Sequence, residues 1–133
     1  MDIRNEMKVV ITVVSSATFW LIGAWDMVLG ILATVIVCDY ISGVLYAIKT
    51  KTLSSQVGRA GLMKKAATLL VVVVAHQVDV ALGNTEDIVR NITALFYISN
   101  ELLSILENAG NIGIPLPKVL VDVCEKIGKK DGE

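Results

Sequence analysis

The stretch that decides the fold is MVLGILATVIVCDYISGVLYAI, residues 27–48, in which Asp39 is the one charged side chain. At about 1.5 Å of rise per residue, a helix of this length crosses the roughly 30 Å hydrocarbon core of a bilayer. Backbone polar groups find no water inside a bilayer, so the segment is expected to satisfy them internally as a helix. The stretch therefore predicts a membrane-spanning helix.

Three further apolar segments predict an all-α integral membrane protein with four transmembrane helices. The predicted spans are residues 9–25, 27–48, 62–83 and 88–107, within a single domain of residues 1–133. Apolar residues make up 54% of the chain and the mean hydropathy is +0.66, which is unusual for a soluble domain. Three spans, with residues 9–25 lying on the membrane surface, are the alternative.

The placement of basic residues predicts how the helices are oriented, because positively charged connections remain in the cytoplasm. The connection after residue 48 is rich in bases without an acid among them, and we expect it to lie near lipid headgroups. Its bases are Lys49, Lys51, Arg59, Lys64 and Lys65. Four spans then leave both chain termini in the cytoplasm. Asp26 is expected at the outer interface, as the N-cap of the second span.

The end of the chain is predicted to be a short cytoplasmic amphipathic helix with a charged tail, within residues 115–133. Gly113, Pro115 and Pro117 should end the fourth span, because neither residue type continues a helix well. Apolar residues then recur at helical spacing. They are Val119, Leu120, Val123, Cys124 and Ile127, and the tail is expected to begin at Gly128.

Polar side chains inside the predicted spans are the main functional signal. A charge at the bilayer centre costs about 2.5–3.5 kcal/mol on insertion scales, so these groups should face a pore or another subunit. The candidates for a pore lining or subunit seam are Asp39, Ser42, Gly43, His76, Asp79, Tyr97, Asn100, Glu101, Ser104 and Glu107. Small and polar residues also occur where helices simply pack together, which leaves packing as the alternative. His76 and Asp79 are expected to pair on one helix face.

The sequence offers nothing typical of an enzyme. It has one histidine and lacks the phosphate-binding, dinucleotide-binding, zinc-protease and serine-hydrolase motifs. We therefore expect no catalytic residue, no metal and no cofactor. The formal net charge of -1 predicts no nucleic-acid partner.

A set of short motifs in a fixed order carries a resemblance to a known family. The motifs are Asp39-Tyr40-Ile41-Ser42-Gly43, Leu53-Ser54-Ser55, Lys64-Lys65, Asn100-Glu101, Ser104-Ile105-Leu106-Glu107-Asn108 and Gly113-Ile114-Pro115-Leu116-Pro117. In this order and spacing the chain resembles the toxin-secretion/phage-lysis holin family of Gram-positive phages and clostridia. The resemblance extends from about residue 25 to residue 127.

The resemblance implies a non-enzymatic protein of the bacterial cytoplasmic membrane that binds lipid and assembles with copies of itself. It implies a lesion through which an endolysin or a toxin leaves the cell, so that the host is lysed, and an antiholin as a further partner. The residues alone leave two other classes open. One is a small ion or proton channel or transporter, and the other is a membrane scaffold or antiholin that forms no pore.

Overall fold

The computed structural model describes the backbone of residues 2–132 and the side chains of residues 2–127, and it confirms the all-α prediction. Five helices and no strand occur in that range. The helices are α1 (Ile3–Ile22), α2 (Met27–Thr50), α3 (Ser55–Leu82), α4 (Ile88–Ile112) and α5 (Lys118–Gly132). Glu133, the last residue of the predicted tail, lies outside the described residues.

The two most apolar helices begin at short polar side chains and end at residues with a left-handed backbone conformation. The carboxylate of Asp26 accepts a hydrogen bond from the Leu29 backbone N–H, so Asp26 caps α2 as expected. The hydroxyl of Ser54 caps α3 in the same way, by accepting from the Val57 N–H. Helix α3 ends at Gly83, whose φ of 74° favours glycine.

Helices α2 and α4 run parallel to each other, and α3 runs antiparallel to both of them. Helix α4 is central, because it contacts α2, α3 and α5, whereas α1 contacts α3. We call one end of the bundle the Asp26 end, where α2 and α4 begin and α3 finishes. We call the other the Lys49 end, where the Lys49 ammonium donates to the Ile112 carbonyl at the ends of α2 and α4.

The apolar core occupies the middle of the bundle. Leu29 and Leu32 of α2, Val72 of α3, and Ala94 and Ile98 of α4 are all buried there. Most other large apolar side chains on α1, α2 and α3 are exposed, including nearly the whole length of α1. In a membrane protein, exposure of this kind is the expected contact surface for lipid tails.

Two helices in the described chain, α2 and α3, are long and apolar enough to cross a membrane, so the prediction of four such segments is corrected. Helix α1 carries charged residues in its first turns, and α4 carries them along its length. These charges are Arg4, Glu6 and Lys8 in α1 and Arg90, Glu101 and Glu107 in α4. Both helices are therefore less apolar than α2 and α3, although each is long enough to span.

Two boundaries also differ from the prediction. The basic connection is short, since α3 begins at Ser55 rather than at Leu62 and places Arg59 on the helix. Ser54 explains this early start, because its capping bond begins the helix at once. Helix α5 continues through Gly132, so the predicted charged tail from Gly128 is helical in the described backbone.

Candidate functional site: two charged clusters and a cavity

A lysine between two carboxylates links the three central helices about halfway along α2. The Lys65 ammonium lies 2.6 Å from an Asp39 carboxylate oxygen and 2.8 Å from one of Glu101. Each of the three side chains is about 13–14% exposed. Lys65, which the sequence placed in a surface loop, therefore joins α3 to both α2 and α4.

Two uncharged side chains complete this group, which we call the Lys65 cluster: Asp39, Ser42, Lys65, Glu101 and Asn108. The Asn108 amide donates to the Ser42 hydroxyl at 2.9 Å and to the second Asp39 oxygen at 3.4 Å. Asp39 is thus held by a cation on one side and by an amide on the other. The cluster contains one formal positive charge and two formal negative charges.

A cavity of about 660 Å³ lies beside the Lys65 cluster. Its walls come from α2, α3, α4 and the loop before α3. The lining includes Asp39, Tyr40, Gly43, Leu53, Val57, Gly61, Lys65, Asn100, Glu101, Ser104 and Asn108. The Tyr40 ring crosses toward α3, where it lies near Gly58 and Gly61.

A second charged group lies at the Asp26 end, around Arg90 near the start of α4. Arg90 is 0% exposed. Its guanidinium donates to the Asp26 carboxylate and, at 2.8 and 3.2 Å, to the carbonyls of Ile22 and Ala24. It also lies 3.5 Å from the Asp87 carboxylate. Arg90 thereby ties the segment between α1 and α2 to the start of α4.

Asp79 and His76 complete this second group, the Arg90 cluster: Asp26, His76, Asp79, Asp87 and Arg90. The buried Asp79 carboxylate accepts from the backbone N–H groups of Val89 and Arg90 and from the Asn84 amide, at 2.8–3.0 Å. His76 pairs with Asp87 at 2.6 Å, so the expected His76–Asp79 pair is corrected. The first turn of α4 attracts the Asp79 carboxylate away from His76, because its N–H groups have no helical acceptor.

Gly23 lets the chain pass close to the Arg90 cluster. Its φ of 85° and ψ of -168° lie in a region that is essentially reserved for glycine. A Cβ atom there would lie 2.8 Å from the Arg90 guanidinium and 2.8 Å from the His76 ring. The close approach brings the carbonyls of Ile22 and Ala24 within reach of Arg90.

The structure separates the remaining candidate residues into three groups. Asn100, Ser104 and Gly43 line the cavity, and a Cβ on Gly43 would lie 3.8 Å from the Asn108 amide. Tyr97 is half-buried against the apolar core, where its ring meets Phe96 edge-on at 5.3 Å. Glu107 is exposed and is not part of either cluster.

The basic residues near the Lys49 end also divide. Lys49, Lys51, Arg59 and Lys64 are exposed, whereas Lys65 is half-buried. Lys64 reaches the rim of the cavity. Neighbouring lysines on one helix thus have different roles, because successive side chains of a helix point about 100° apart.

Sequence reasoning missed the role of Arg90, although a signal was present. Arg90 is the one base near the predicted outer connections, and Asp26, Glu86 and Asp87 are acids in the same regions. A lone base among acids on one side of a membrane is a reason to expect an ion pair. Within the described residues, no group of three His, Cys, Asp or Glu side chains is arranged to hold a metal.

Comparison with known proteins gives a consistent result. The sequence model described as the bacteriophage holin family matches residues 16–129. An uncharacterized 14.9 kDa protein in the nagH 3' region of Clostridium perfringens is 37% identical over 129 residues, which is 97% of this chain and 98% of that protein.

Two other relatives come from another bacterium and from a phage. An uncharacterized protein of Listeria monocytogenes is 41% identical over 86% of this chain and 81% of its own. A probable holin of Bacillus phage phi105 is 40% identical over 65% of this chain and 63% of its own. No solved structure matches the chain.

Proposed function

Because the chain belongs to the bacteriophage holin family, a family of non-enzymatic membrane proteins, we propose that it forms lesions in the bacterial cytoplasmic membrane. Copies accumulate in the membrane, assemble with one another and open a path for an endolysin or a toxin. The release of that protein then lyses the host on a schedule. Antiholins are further partners under this proposal.

The observation that carries the proposal is the position of the Lys65 cluster. It lies halfway along α2, which is apolar enough to span, and it adjoins a cavity with Asn100 and Ser104 in its wall. Charged groups in contact with hydrocarbon are costly, so they must face protein or water. In an assembly, the polar face could line water while the apolar faces of α2 and α3 keep contact with lipid.

We further propose that α4 and α1 also cross the membrane. The charges that lower the hydropathy of α4 are largely neutralised inside the protein, where Arg90 and Glu101 pair with other helices. The exposed bases Lys49, Lys51 and Arg59 then put the Lys49 end in the cytoplasm, together with α5 and the N-terminus. The Asp26 end faces outward in this arrangement.

The proposal is tested by controlled expression in a Gram-positive host, with membrane dye uptake and release of a cytoplasmic enzyme measured together. We expect an abrupt growth arrest in which both signals rise at the same time. Asp39→Leu removes a carboxylate from the Lys65 cluster and should delay this event without reducing membrane insertion. Cys38→Leu, on the exposed face of α2, is the matched control and should not delay it.

The cavity also favours a second function, a small cation or proton channel or transporter, because the cluster beside it has one more carboxylate than cations. The same experiment separates the two. A channel would depolarise the cell while the cytoplasmic enzyme stays inside. A scaffold or antiholin would leave both the potential and the enzyme in place. Either result would overturn the holin proposal.

A further inference from the structure

The two ends of α3 are held in different ways. At the Asp26 end, Asp79 accepts two backbone N–H groups of α4 and so fixes this end of α3 to its neighbour. At the Lys49 end, residues 55–68 make their side-chain hydrogen bonds to other helices through Lys65, within the part of the chain whose side chains are described. Lys65 therefore provides the polar attachment of the first half of α3 to α2 and α4.

Packing in the first half of α3 is correspondingly weak. No residue of 55–68 is fully buried. The Tyr40 ring of α2 lies near Gly58 and Gly61, and the cavity lies beside this contact. Gly58 and Gly61 present no side chains to this space. Little apolar area is lost if this half of the helix moves away, whereas the Lys65 ion pairs are lost.

Movement of α3 alone would leave charges without partners. Lys65 and Glu101 would lose their ion-pair partners at membrane depth, and Asp39 would keep only the Asn108 amide. Unpaired ions are unfavourable in a low-dielectric interior. A neighbouring copy of the chain offers the same lysine and the same two carboxylates in the same arrangement. Exchange of partners between copies would therefore restore every ion pair.

We propose that residues 55–68 of one copy dock against the α2–α4 surface of the next copy in the lesion, with Lys65 bound to the neighbour's Asp39 and Glu101. This inference rests on the proposed assembly and names its interface. The contact is heterologous, so repetition around a closed rotation builds a ring. The Asp79 contacts keep the other end of α3 on its own α4, and α3 pivots there.

Cysteine cross-linking between differently tagged copies tests the exchange. In a background with Cys38→Ala and Cys124→Ala, one copy carries Tyr40→Cys on α2 and the other carries Gly61→Cys on α3. A Cβ at position 61 lies 3.9 Å from the Tyr40 ring, so a short bismaleimide should join these positions when α2 and α3 face each other. We expect a mixed cross-linked dimer once the lesion forms, and little of it before.

A second cysteine pair provides the matched control. Gly43→Cys and Asn108→Cys face each other across α2 and α4, with 3.8 Å between the position-43 Cβ and the Asn108 amide. Since α2 and α4 stay together in the proposal, this pair should cross-link within one chain and give no mixed dimer. A single chain with both Tyr40→Cys and Gly61→Cys should cross-link internally before the lesion forms, which verifies that these variants fold.

The same measurement in dye-loaded vesicles distinguishes failure of the exchange from failure of the proposed function. Dye release with the mixed Tyr40–Gly61 dimer supports both. Dye release with internal cross-links alone would overturn the proposed exchange, whereas the proposed lesion would remain supported. Vesicles that retain their dye at every protein density overturn the lesion and the exchange together.

Discussion

The two charged clusters are built around similar ion pairs but differ in how deeply the central base is buried and in how many groups it binds. Each places one base beside two carboxylates on other parts of the chain, Asp26 and Asp87 in one and Asp39 and Glu101 in the other. Arg90 is fully buried, with two backbone carbonyls as further acceptors. The Lys65 side chain is 13% exposed and adjoins a cavity.

The difference follows from the chemistry of the two bases. An arginine presents five N–H donors in a rigid plane, so Arg90 can hold several acceptors in one geometry. A lysine is a point charge on a flexible stem and can exchange one carboxylate for another without a fixed angle. The Arg90 cluster is therefore suited to permanent attachment, and the Lys65 cluster to reversible attachment.

The largest effect is expected for Arg90→Met, which should lower the free energy of unfolding by about 3–5 kcal/mol, because it removes a fully buried guanidinium together with its ion pairs and its hydrogen bonds to two backbone carbonyls. The Asp26 carboxylate and the carbonyls of Ile22 and Ala24 lose their donor at once. The midpoint of unfolding by sodium dodecyl sulfate, followed by circular dichroism, measures the change.

Arg59→Met is the control for the loss of an arginine, because Arg59 is exposed on α3. Its free energy of unfolding, taken from the same denaturation curves, should remain within about 0.5 kcal/mol of the value for the unsubstituted protein. Equal midpoints for the two variants would mean that the Arg90 cluster does not hold the Asp26 end together. The contrast between the two clusters would then have no energetic basis.

The Lys65 cluster could be predicted in part from the sequence. The cost of charge in lipid indicated that Asp39 and Glu101 should face a pore or another subunit rather than lipid. The cation that pairs with the two carboxylates could not be predicted. Lys65 lies in a run of bases that were expected near lipid headgroups, and it is identified as the partner by its tertiary contacts with Asp39 and Glu101.

Most of the Arg90 cluster could not be predicted from the sequence. Its contacts are tertiary contacts between segments that are distant in the chain, and helical periodicity does not indicate them. Gly23 allows the α1–α2 connection to reach Arg90, and no helical pattern reports such a contact. His76 and Asp79 have the spacing of a helix pair, yet each finds a stronger partner beyond α3. Local spacing predicts a shared face, whereas competition among partners decides the bonds.

Lys65→Met should lower the free energy of unfolding by a smaller amount, about 2–3 kcal/mol. The substitution removes a charged donor from two carboxylates that partly face a cavity. Lys64→Met removes the neighbouring, exposed lysine and should have little effect on the same unfolding midpoint. Adding Asp39→Asn and Glu101→Gln to Lys65→Met should recover stability, since the unpaired charges disappear. A triple variant less stable than Lys65→Met would contradict the role of these ion pairs.

The smallest effect is expected for Ser54→Ala, which removes the cap of α3 at the Lys49 end. The loss of the hydrogen bond from the Val57 N–H should cost about 1 kcal/mol. Ser55→Ala, one residue into the helix, is the control and should leave the unfolding midpoint unchanged.

The cap begins the half of α3 that Lys65 holds, so its removal should favour the exchanged state over the closed one. In the cross-linking experiment, Ser54→Ala should make the mixed Tyr40–Gly61 dimer appear earlier than Ser55→Ala does, while the Gly43–Asn108 pair stays within one chain. An unchanged time of appearance, together with the expected loss of stability, would mean that the whole of α3 responds as one unit. The two ends of α3 would then not be independent, and the contrast between the clusters would lie in their chemistry alone.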